Sequence, residues 1–481
     1  MPASRALKQD GRCDPGHPAR GLSRRHLRGV RREGANGKEA VCAPPGSIKE
    51  TGPGPKRRHG GDRVGHSRAV TALQRKPGNQ VAHLSVADVE AIGRELDELR
   101  QSVIVSRGQR DATYIRRVIR AQRLCELSGR TLLLGSKFTP AWLLGTSLLV
   151  VSKVLDNMEI GHNVLHGQWD WMNDPEIHST TWDWDHVSPP EQWKRAHNVQ
   201  HHTYTNILGK DNDLGYGIMR VDEDQPWQRR YLVQPLWNLV NACIFEYGIA
   251  LYDLGLGEHL RGKRGVTPEL RTSVRQAAHK AARQASKDYV LFPLLSGRSW
   301  RRTIAANLTA NLARNLWSHS VIMCGHFPEG VETFEQKTLD ERETKAEWYL
   351  RQMLGSANIS GSRAMHLMSG NLSHQIEHHL FPDLPSNRYG EIAPKIQDLF
   401  QRYSLTYHAA PLPKQVASAW HKVLRLSLPN GWLEQTTLRN APRQIARLFQ
   451  RQAAGNVATS PAVPPREPRL TPSHQGLPQA V

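Results

Sequence analysis

Cysteine is scarce in this chain, and no two cysteines stand close together. The 481 residues include five of them, Cys13, Cys42, Cys125, Cys243 and Cys324, an odd number without any C-x-x-C spacing. This pattern argues against a disulfide framework and against a zinc ribbon. A reducing environment that faces the cytosol is the simplest setting for such a chain.

The signatures of several redox cofactors are missing as well. The chain has no His-Pro-Gly-Gly haem motif, no G-x-G-x-x-G segment after a strand, and no cysteine set for an iron–sulfur cluster. A chain without these features cannot draw electrons from a nicotinamide unaided. Any redox chemistry therefore needs an external electron donor.

Long apolar runs are few, and the mean hydropathy of −0.56 is low for a chain that crosses a membrane several times. Residues 131–152, 231–251 and 304–327 nevertheless suit spans of about 20 residues. Polar groups such as Glu246 and Arg314 interrupt them, and in lipid such groups normally face a bundle interior. We expect an all-α, membrane-embedded, multi-pass helical bundle in which some of these segments are buried or re-entrant.

Positive charge is concentrated at the amino-terminal end. Residues 1–80 hold 18 Lys and Arg against 6 Asp and Glu, without any helical or strand period. Such a segment cannot bury enough apolar surface to offset its chain entropy. We therefore predict a disordered basic arm over residues 1–84, with no nucleic-acid partner. Residues 431–481 read as a helix fragment and a disordered Pro-rich tail, which leaves residues 85–430 as one large folded domain.

Histidine carries the chemical information, because eight of the 23 histidines fall into three tight groups. The first group reads H-x-x-x-H and the other two read H-x-x-x-H-H. Their members are His162 and His166, then His197, His201 and His202, then His374, His378 and His379. On a helix, residues i and i+4 share a face and can meet one metal ion, while the next residue can reach a second. Eight or nine imidazoles exceed the ligands of one zinc site and suit two iron ions.

The third apolar segment adds a stripe of polar residues. Asn307, Asn311, Asn315 and His319 follow one another at intervals of four, and His326 lies two turns further on. Residues with this spacing share one face of a helix, so we expect the stripe to face the metals. For each of them alone, a buried polar group with satisfied hydrogen bonds is an equally good interpretation.

These patterns resemble the membrane fatty acid desaturase family, whose mark is three histidine boxes of these spacings in this order. The resemblance covers residues 85–430 and is strong in NMEIGHNVLHGQWDWMNDPEIHS, CGHFPEG and SGNLSHQIEHHLFPDLPSNR. It implies a non-haem di-iron centre in which His326 joins the box histidines, with His319 as a weaker claimant. Front-end members carry Gln at the first position of the third box, so His374 in that place argues against this subclass.

The resemblance also implies an activity. It points to insertion of a cis double bond, at the Δ9 position, into a saturated acyl-coenzyme A, with O2 as the oxidant. The expected partners are acyl-coenzyme A, membrane lipid, and a ferredoxin-like or flavin reductase fed by NADPH, with the active site facing the cytosol. A di-iron lipid hydroxylase of the same class is the alternative, and a zinc-dependent membrane hydrolase is a more distant one.

Other residues near the boxes are candidates for supporting roles. Carboxylates that can orient metal-bound imidazoles are Asp170, Asp174, Glu176, Asp183, Asp185, Asp211, Asp213 and Glu377. Lys194 and Arg195 precede the second box and are candidates for binding coenzyme A phosphates, although an ordinary surface pair explains them as well. Five tryptophans between positions 169 and 193 either line an acyl channel or pack in the core.

Overall fold

The structure is a computed structural model, and its described residues form part of one compact unit. They are residues 80–211, 213–255, 267–335 and 343–432. The predicted Pro-rich tail and all but the last residues of the predicted basic arm lie outside these ranges.

The described residues are mostly helical, as predicted. The helices are α1 (Val86–Ser106), α2 (Gln109–Leu134), α3 (Thr139–Leu155), α4 (Pro190–Lys194), α5 (Gln234–Cys243), α6 (Phe245–Asp253), α7 (Pro268–Ser286), α8 (Phe292–Leu295), α9 (Trp300–His326), α10 (Lys345–Leu354), α11 (Arg363–Met368), α12 (Gln375–Leu380), α13 (Tyr389–Arg402) and α14 (Leu412–Leu426).

Shorter elements connect these helices. Three π-helical turns cover Asp156–His162, Arg195–His201 and Lys287–Leu291, and single α-helical turns at Asn163–Leu165 and His202–Tyr204 continue the first two. 3-10 turns lie at Asp170–Met172, Gly215–Gly217, Arg229–Val233, Gly297–Ser299 and Ser386–Arg388. The strands β1 (Asn358–Ser360) and β2 (Ala409–Pro411) pair in parallel.

The first helix begins where the sequence predicts. Ser85 caps α1 in a capping box with Asp88, which satisfies the free N–H groups of the first turn. The apolar side chains of α1 enter a core that α10, α12 and α13 complete. Val81 and Leu84, which precede the cap, are buried in the same core. Within the described ranges, packing therefore already includes residue 81, which precedes the predicted domain boundary at residue 85.

The first predicted apolar segment, residues 131–152, is not one helix. It is divided between α2 and α3, because the chain turns at residues 135–138 and α3 packs back along α2. Small residues permit this close packing: a Cβ on Gly129 would lie 2.9 Å from the carbonyl oxygen of Gly145. The single helix predicted for this segment is therefore wrong.

The second segment is also interrupted, since α5 ends at Cys243 and α6 begins at Phe245. The third is continuous as α9, which packs against α3, α5 and α14. Within the part of the chain that the structure describes, no helix combines the length and the apolarity needed to cross a bilayer. The membrane-embedded character of the bundle stays a prediction.

Candidate metal centre

Each of the first two histidine boxes overlaps a π-helical turn. His162 ends the turn Asp156–His162, and His197 and His201 belong to the turn Arg195–His201. A π turn closes i→i+5 hydrogen bonds and is wider than an α turn, and such turns are frequent at functional sites. The wider turn brings residues five apart nearer to one face, so His202 points to the same region as His197.

The structure gathers seven histidines into two adjacent groups. The ligand nitrogens of His162, His166, His197 and His378 lie within 4.8 Å of one another, and so do those of His201, His326 and His379. Residues that are far apart in sequence meet here: His162 Nε2 lies 3.3 Å from His378 Nε2, and His379 Nε2 lies 3.1 Å from His326 Nε2.

His202 lies between the two groups and makes an eighth member. Its ring centroid is 4.7 Å from that of His166 in the first group and 4.5 Å from that of His379 in the second. Both of its ring nitrogens are buried, and neither has a hydrogen-bond partner within the described part of the chain. This position suits a ligand at the junction of a binuclear centre.

The donor set fits metal ions. The Nε2 atoms of His166, His197 and His201 are buried and have no partner among the described residues, and each unsatisfied buried nitrogen costs about 1–3 kcal/mol. Burial lowers the pKa of His162, His166 and His202 well below the ordinary value. These rings are therefore neutral, which is the form that binds metals. Bound metal ions would accept the lone pairs of these ring nitrogens, which otherwise face one another.

Two aspartates in the loop after the second box orient its rings. Asp211 Oδ1 lies 2.8 Å from His201 Nδ1, and Asp213 Oδ2 lies 2.9 Å from His197 Nδ1. If each Nδ1–H donates to its carboxylate, Nε2 of both rings is free to face a metal. Burial opposes protonation of His201, but the two carboxylates outweigh it and raise its pKa to about 9. These two of the eight candidate carboxylates contact box histidines in the way we expected.

The turn that carries these aspartates is itself held by Asp211. Its second carboxylate oxygen accepts the backbone N–H of Asn206 at 2.7 Å, and its first accepts that of Asp213 at 2.8 Å. Asn206 has a left-handed backbone with φ of 57°. Its side chain donates to the carbonyl oxygens of Glu332 and Gly355. A single carboxylate thus fixes the loop and orients a ring.

The third box differs from the sequence interpretation at its first position. His378 and His379 lie on α12 and join the two groups, whereas His374 is the residue before the helix, with φ −99° and ψ 57°. The i, i+4 rule holds only inside a helix, so His374 does not share the face of His378. Its ring stacks on His366 at 4.5 Å instead, and the geometry does not bring it into either group.

Gln375 takes the place expected of His374. It is the first residue of α12, it is buried, and its Nε2 lies 3.0 Å from His326 Nε2. Its amide oxygen is also buried and has no hydrogen-bond partner in the ranges that the structure describes. His374 therefore no longer argues against the front-end subclass, because a Gln stands three residues before His378 on the helix.

The polar stripe of α9 does not face the histidine groups as a whole. Asn307 and Asn311 bond Asp288, Asn315 donates to the Cys243 carbonyl, and His319 bonds the Asn238 side chain. These contacts tie α9 to neighbouring elements, as buried polar groups require. Of the five stripe residues, His326 at the end of α9 is the one that joins the groups. The expectation that the whole stripe faces the metals is wrong.

Several neighbours of the groups gave no signal in the sequence. Gln352 Oε1 lies 3.1 Å from His379 Nδ1, and Tyr389 Oη lies 3.3 Å from His378 Nδ1. Both are single residues outside any motif, on α10 and α13. The ring of Trp193, one of the five tryptophans, stacks on His197 at a centroid distance of 4.5 Å and closes one side of the first group.

Comparison with known proteins agrees with this geometry. The model of the family described as "Fatty acid desaturase" matches residues 138–411. The NADPH-dependent stearoyl-CoA 9-desaturase of Mycobacterium tuberculosis is 48% identical over 384 residues, which cover 79% of this chain and 90% of that protein. The sn-1 linoleoyl-lipid 6-desaturase of Synechocystis is 26% identical, over 59% of this chain and 80% of that protein. No solved structure matches the chain.

Proposed function

Because the chain belongs to the fatty acid desaturase family, we propose that it is an O2-dependent oxidoreductase that inserts a cis double bond, at the Δ9 position, into a saturated acyl-coenzyme A. The mycobacterial relative named as a stearoyl-CoA 9-desaturase supports this substrate and position. The observation that carries the proposal is the convergence of eight imidazoles into two adjacent groups, with seven of them buried and His197 12% exposed.

We assign two iron ions to these groups. One set of candidate ligands is His162, His166, His197 and His378, and the other is His201, His326 and His379, with His202 at the junction. Bound there, iron supplies the redox chemistry with O2 that removes hydrogen from an unactivated methylene, which side chains cannot do alone. His374 is left out of this set.

The chain's own residues position the ligands and exclude water. Asp211 and Asp213 orient the rings of the second box, while Gln352 and Tyr389 contact the third. The box residues on α12 are fully buried, so bulk water does not reach that side of the centre. A dry, rigid site keeps the substrate methylene close to the oxidant and suppresses side reactions.

Two further electrons come from outside the chain in this proposal. The sequence has no haem, flavin or iron–sulfur motif, and the mycobacterial relative is named as NADPH-dependent. A ferredoxin-like or flavin reductase fed by NADPH meets both conditions. Acyl-coenzyme A and NADPH are cytosolic, so we place the boxes on the cytosolic side of the cell membrane.

Membrane attachment is supported by a broad apolar surface on α3, α5, α8 and α9. Its exposed side chains include Leu143, Leu144, Leu236, Trp237, Leu239, Leu294, Leu295, Leu308 and Leu312. Soluble proteins rarely expose apolar side chains in such density. We propose that this surface contacts lipid; the multi-pass arrangement expected from the sequence is part of the same proposal.

One experiment tests these assignments together. Protein purified from membranes is analysed for metals and then incubated with stearoyl-coenzyme A, NADPH and O2, with and without a reductase extract, and the products are identified by gas chromatography. We expect about two irons per chain, a Δ9 monounsaturated product, and no turnover without the extract. Stoichiometric zinc without iron would contradict the assigned metal. A hydroxylated product would contradict the proposed reaction, and turnover by the purified chain alone would contradict the external electron donor.

A further inference from the structure

A groove lies beside the second histidine box, between α4 and α7. Its walls are Pro189, Pro190 and Glu191 on one side, and Thr272, Arg275, Gln276, His279 and Lys280 on the other. Its volume is about 450 Å³, within the range of roughly 300–1,000 Å³ typical of small-molecule sites. A protein partner needs a broader surface, of about 800 Å² on each side. The size therefore favours a small ligand.

The α7 wall of the groove includes the cations Arg275 and Lys280, and α7 as a whole is strongly basic. Residues 267–287 hold one carboxylate, Glu269, against five cations, which are Arg271, Arg275, Lys280, Arg283 and Lys287. Cations concentrated along one wall of a concave surface raise the local concentration of anionic ligands. The ligand suited to this wall is an anion.

Some cations of α7 already form ion pairs with aspartates, and others do not. Lys280 and Arg283 pair with Asp183, and Lys287 pairs with Asp185. Arg271 and Arg275 are exposed and make no ion pair with any residue in the described ranges. They lie one helical turn apart, so both guanidinium groups can reach the same ligand.

The opposite wall leaves this charge uncompensated. Glu191 is the carboxylate there, and it already pairs with Lys194 at 2.7 Å. Lys194 also donates to the Ser179 carbonyl at 3.1 Å. Lys194, which the sequence suggested for phosphate binding, is therefore engaged elsewhere.

The groove and the histidine groups share one short helix. Pro190 begins α4 at the wall of the groove, and Trp193, one turn later, packs on His197, with its ring also 5.2 Å from that of His162. A ligand anchored in the groove is thus adjacent to an element that borders the candidate metal centre.

We propose that this groove binds the phosphates of the coenzyme A part of the substrate, with Arg275 in its wall as the principal contact and Arg271, one helical turn away on α7, as a second contact at its edge; this inference rests on the function proposed above. Coenzyme A carries a diphosphate and a 3′-phosphate, and guanidinium groups bind phosphate oxygens through paired hydrogen bonds. The groove holds the anionic headgroup at the surface while the acyl chain enters toward the histidine groups. Because the arginines are exposed, the interaction weakens as salt rises.

The test compares two substrates that differ in the nucleotide that carries the phosphates. The double variant Arg271→Ala/Arg275→Ala and the wild type are assayed in membranes with stearoyl-coenzyme A and with stearoyl-pantetheine, which lacks the nucleotide. Loss of two charge-assisted contacts is expected to raise KM for stearoyl-coenzyme A by about tenfold with kcat unchanged. KM for stearoyl-pantetheine is expected to stay the same. Arg117→Ala, which removes an exposed arginine of α2, is the matched control and is expected to change neither value.

Other results overturn the inference. An equal rise in KM for both substrates indicates a structural effect, and a rise in the KM for the reductase instead indicates a donor-docking surface. A defect that appears only with anionic vesicles indicates a lipid headgroup site.

Equilibrium dialysis with coenzyme A alone separates this inference from the proposed function. If the double variant binds coenzyme A more weakly but the wild type does not desaturate stearoyl-coenzyme A, the groove binds coenzyme A and the proposed desaturase function is wrong. If the wild type desaturates stearoyl-coenzyme A and the double variant has unchanged kinetics and coenzyme A binding, the desaturase function stands and the proposed coenzyme A site in the groove is wrong.

Discussion

His201 and Asp211 form a buried ring–carboxylate pair, with His201 Nδ1 and Asp211 Oδ1 2.8 Å apart. The pair fixes the ring so that Nε2 faces His326 and His379, whose ring centroids are both 4.9 Å from that of His201. Carboxylates placed in this way set the orientation and basicity of metal-bound imidazoles. The loop after the second box is therefore as important to the centre as the box itself.

Replacing either loop aspartate should weaken iron binding. Asp211→Asn and Asp213→Asn keep the shape of the side chain but remove the charge that orients His201 and His197. We expect iron affinity to fall about 10- to 100-fold, measured by titrating the purified protein with a chelator. Asp174→Asn is the control, because Asp174 pairs with Arg116 and is not among the contacts of the histidine groups. Iron affinity equal to the wild type in both loop variants would contradict the orienting role.

The third box offers a matched pair of histidine variants. His378→Ala removes a nitrogen of the first group, whereas His374→Ala removes a ring that stacks on His366 outside both groups. We expect His378→Ala to lose iron and activity. We expect His374→Ala to retain iron, with its activity lowered by at most about 10- to 100-fold, as is typical of a residue near a metal centre that does not bind the metal. Iron analysis and product assays on both variants decide this. If His374→Ala loses iron as completely as His378→Ala, His374 is a ligand after all.

The sequence was sufficient to pick out most of the histidines that converge in the structure, because they stand in dense local patterns. His162, His166, His197, His201, His202, His378 and His379 were all assigned from spacing, and His326 from the family resemblance. His374 lies outside both groups for a local reason: it precedes the start of α12, where the i, i+4 spacing rule does not apply. Gln352 and Tyr389 were missed because their contacts depend on how α10 and α13 pack.

The apolar segments were harder to interpret than the boxes. The break between α2 and α3 lies between Gly135, the C-cap of α2, and Pro140 in the first turn of α3, two local signals that a hydropathy window does not weigh. The asparagines of α9 looked like a functional stripe, but Asn307 and Asn311 satisfy Asp288 instead. In an apolar segment, a polar residue that binds another helix cannot be distinguished by spacing from one that faces a cofactor.

Two amino-terminal deletions should have different consequences. Residues 1–79 lack any pattern that could build a core, so their removal is expected to leave stability, iron content and activity unchanged. Removal of residues 1–84 also deletes Val81 and Leu84, which are 1% and 5% exposed. Burial of two such side chains contributes on the order of 3 kcal/mol, so the longer deletion should lower the denaturation midpoint of the detergent-solubilised protein. Equal midpoints would show that residues 80–84 do not stabilise the fold, and lost activity in the shorter deletion would show that the arm is functional.

Arg314 and Glu246 form an ion pair between α9 and α6, and both side chains are 1% exposed. Glu246 also accepts hydrogen bonds from the Val187 backbone and the Gln284 side chain. Removing one partner of such a pair leaves a buried charge without compensation, at a cost of about 3–5 kcal/mol. Arg314→Met and Glu246→Gln are therefore each expected to lower stability strongly.

The double variant Arg314→Met/Glu246→Gln removes both charges, and its stability should lie much closer to the wild type than the sum of the single effects. Denaturation midpoints of the four proteins give this coupling directly. The exposed pair Arg402–Glu95, at 46% and 40% exposure, is the control, because such pairs contribute about 0–1 kcal/mol. Strict additivity of the two buried substitutions would mean that Arg314 and Glu246 do not stabilise each other.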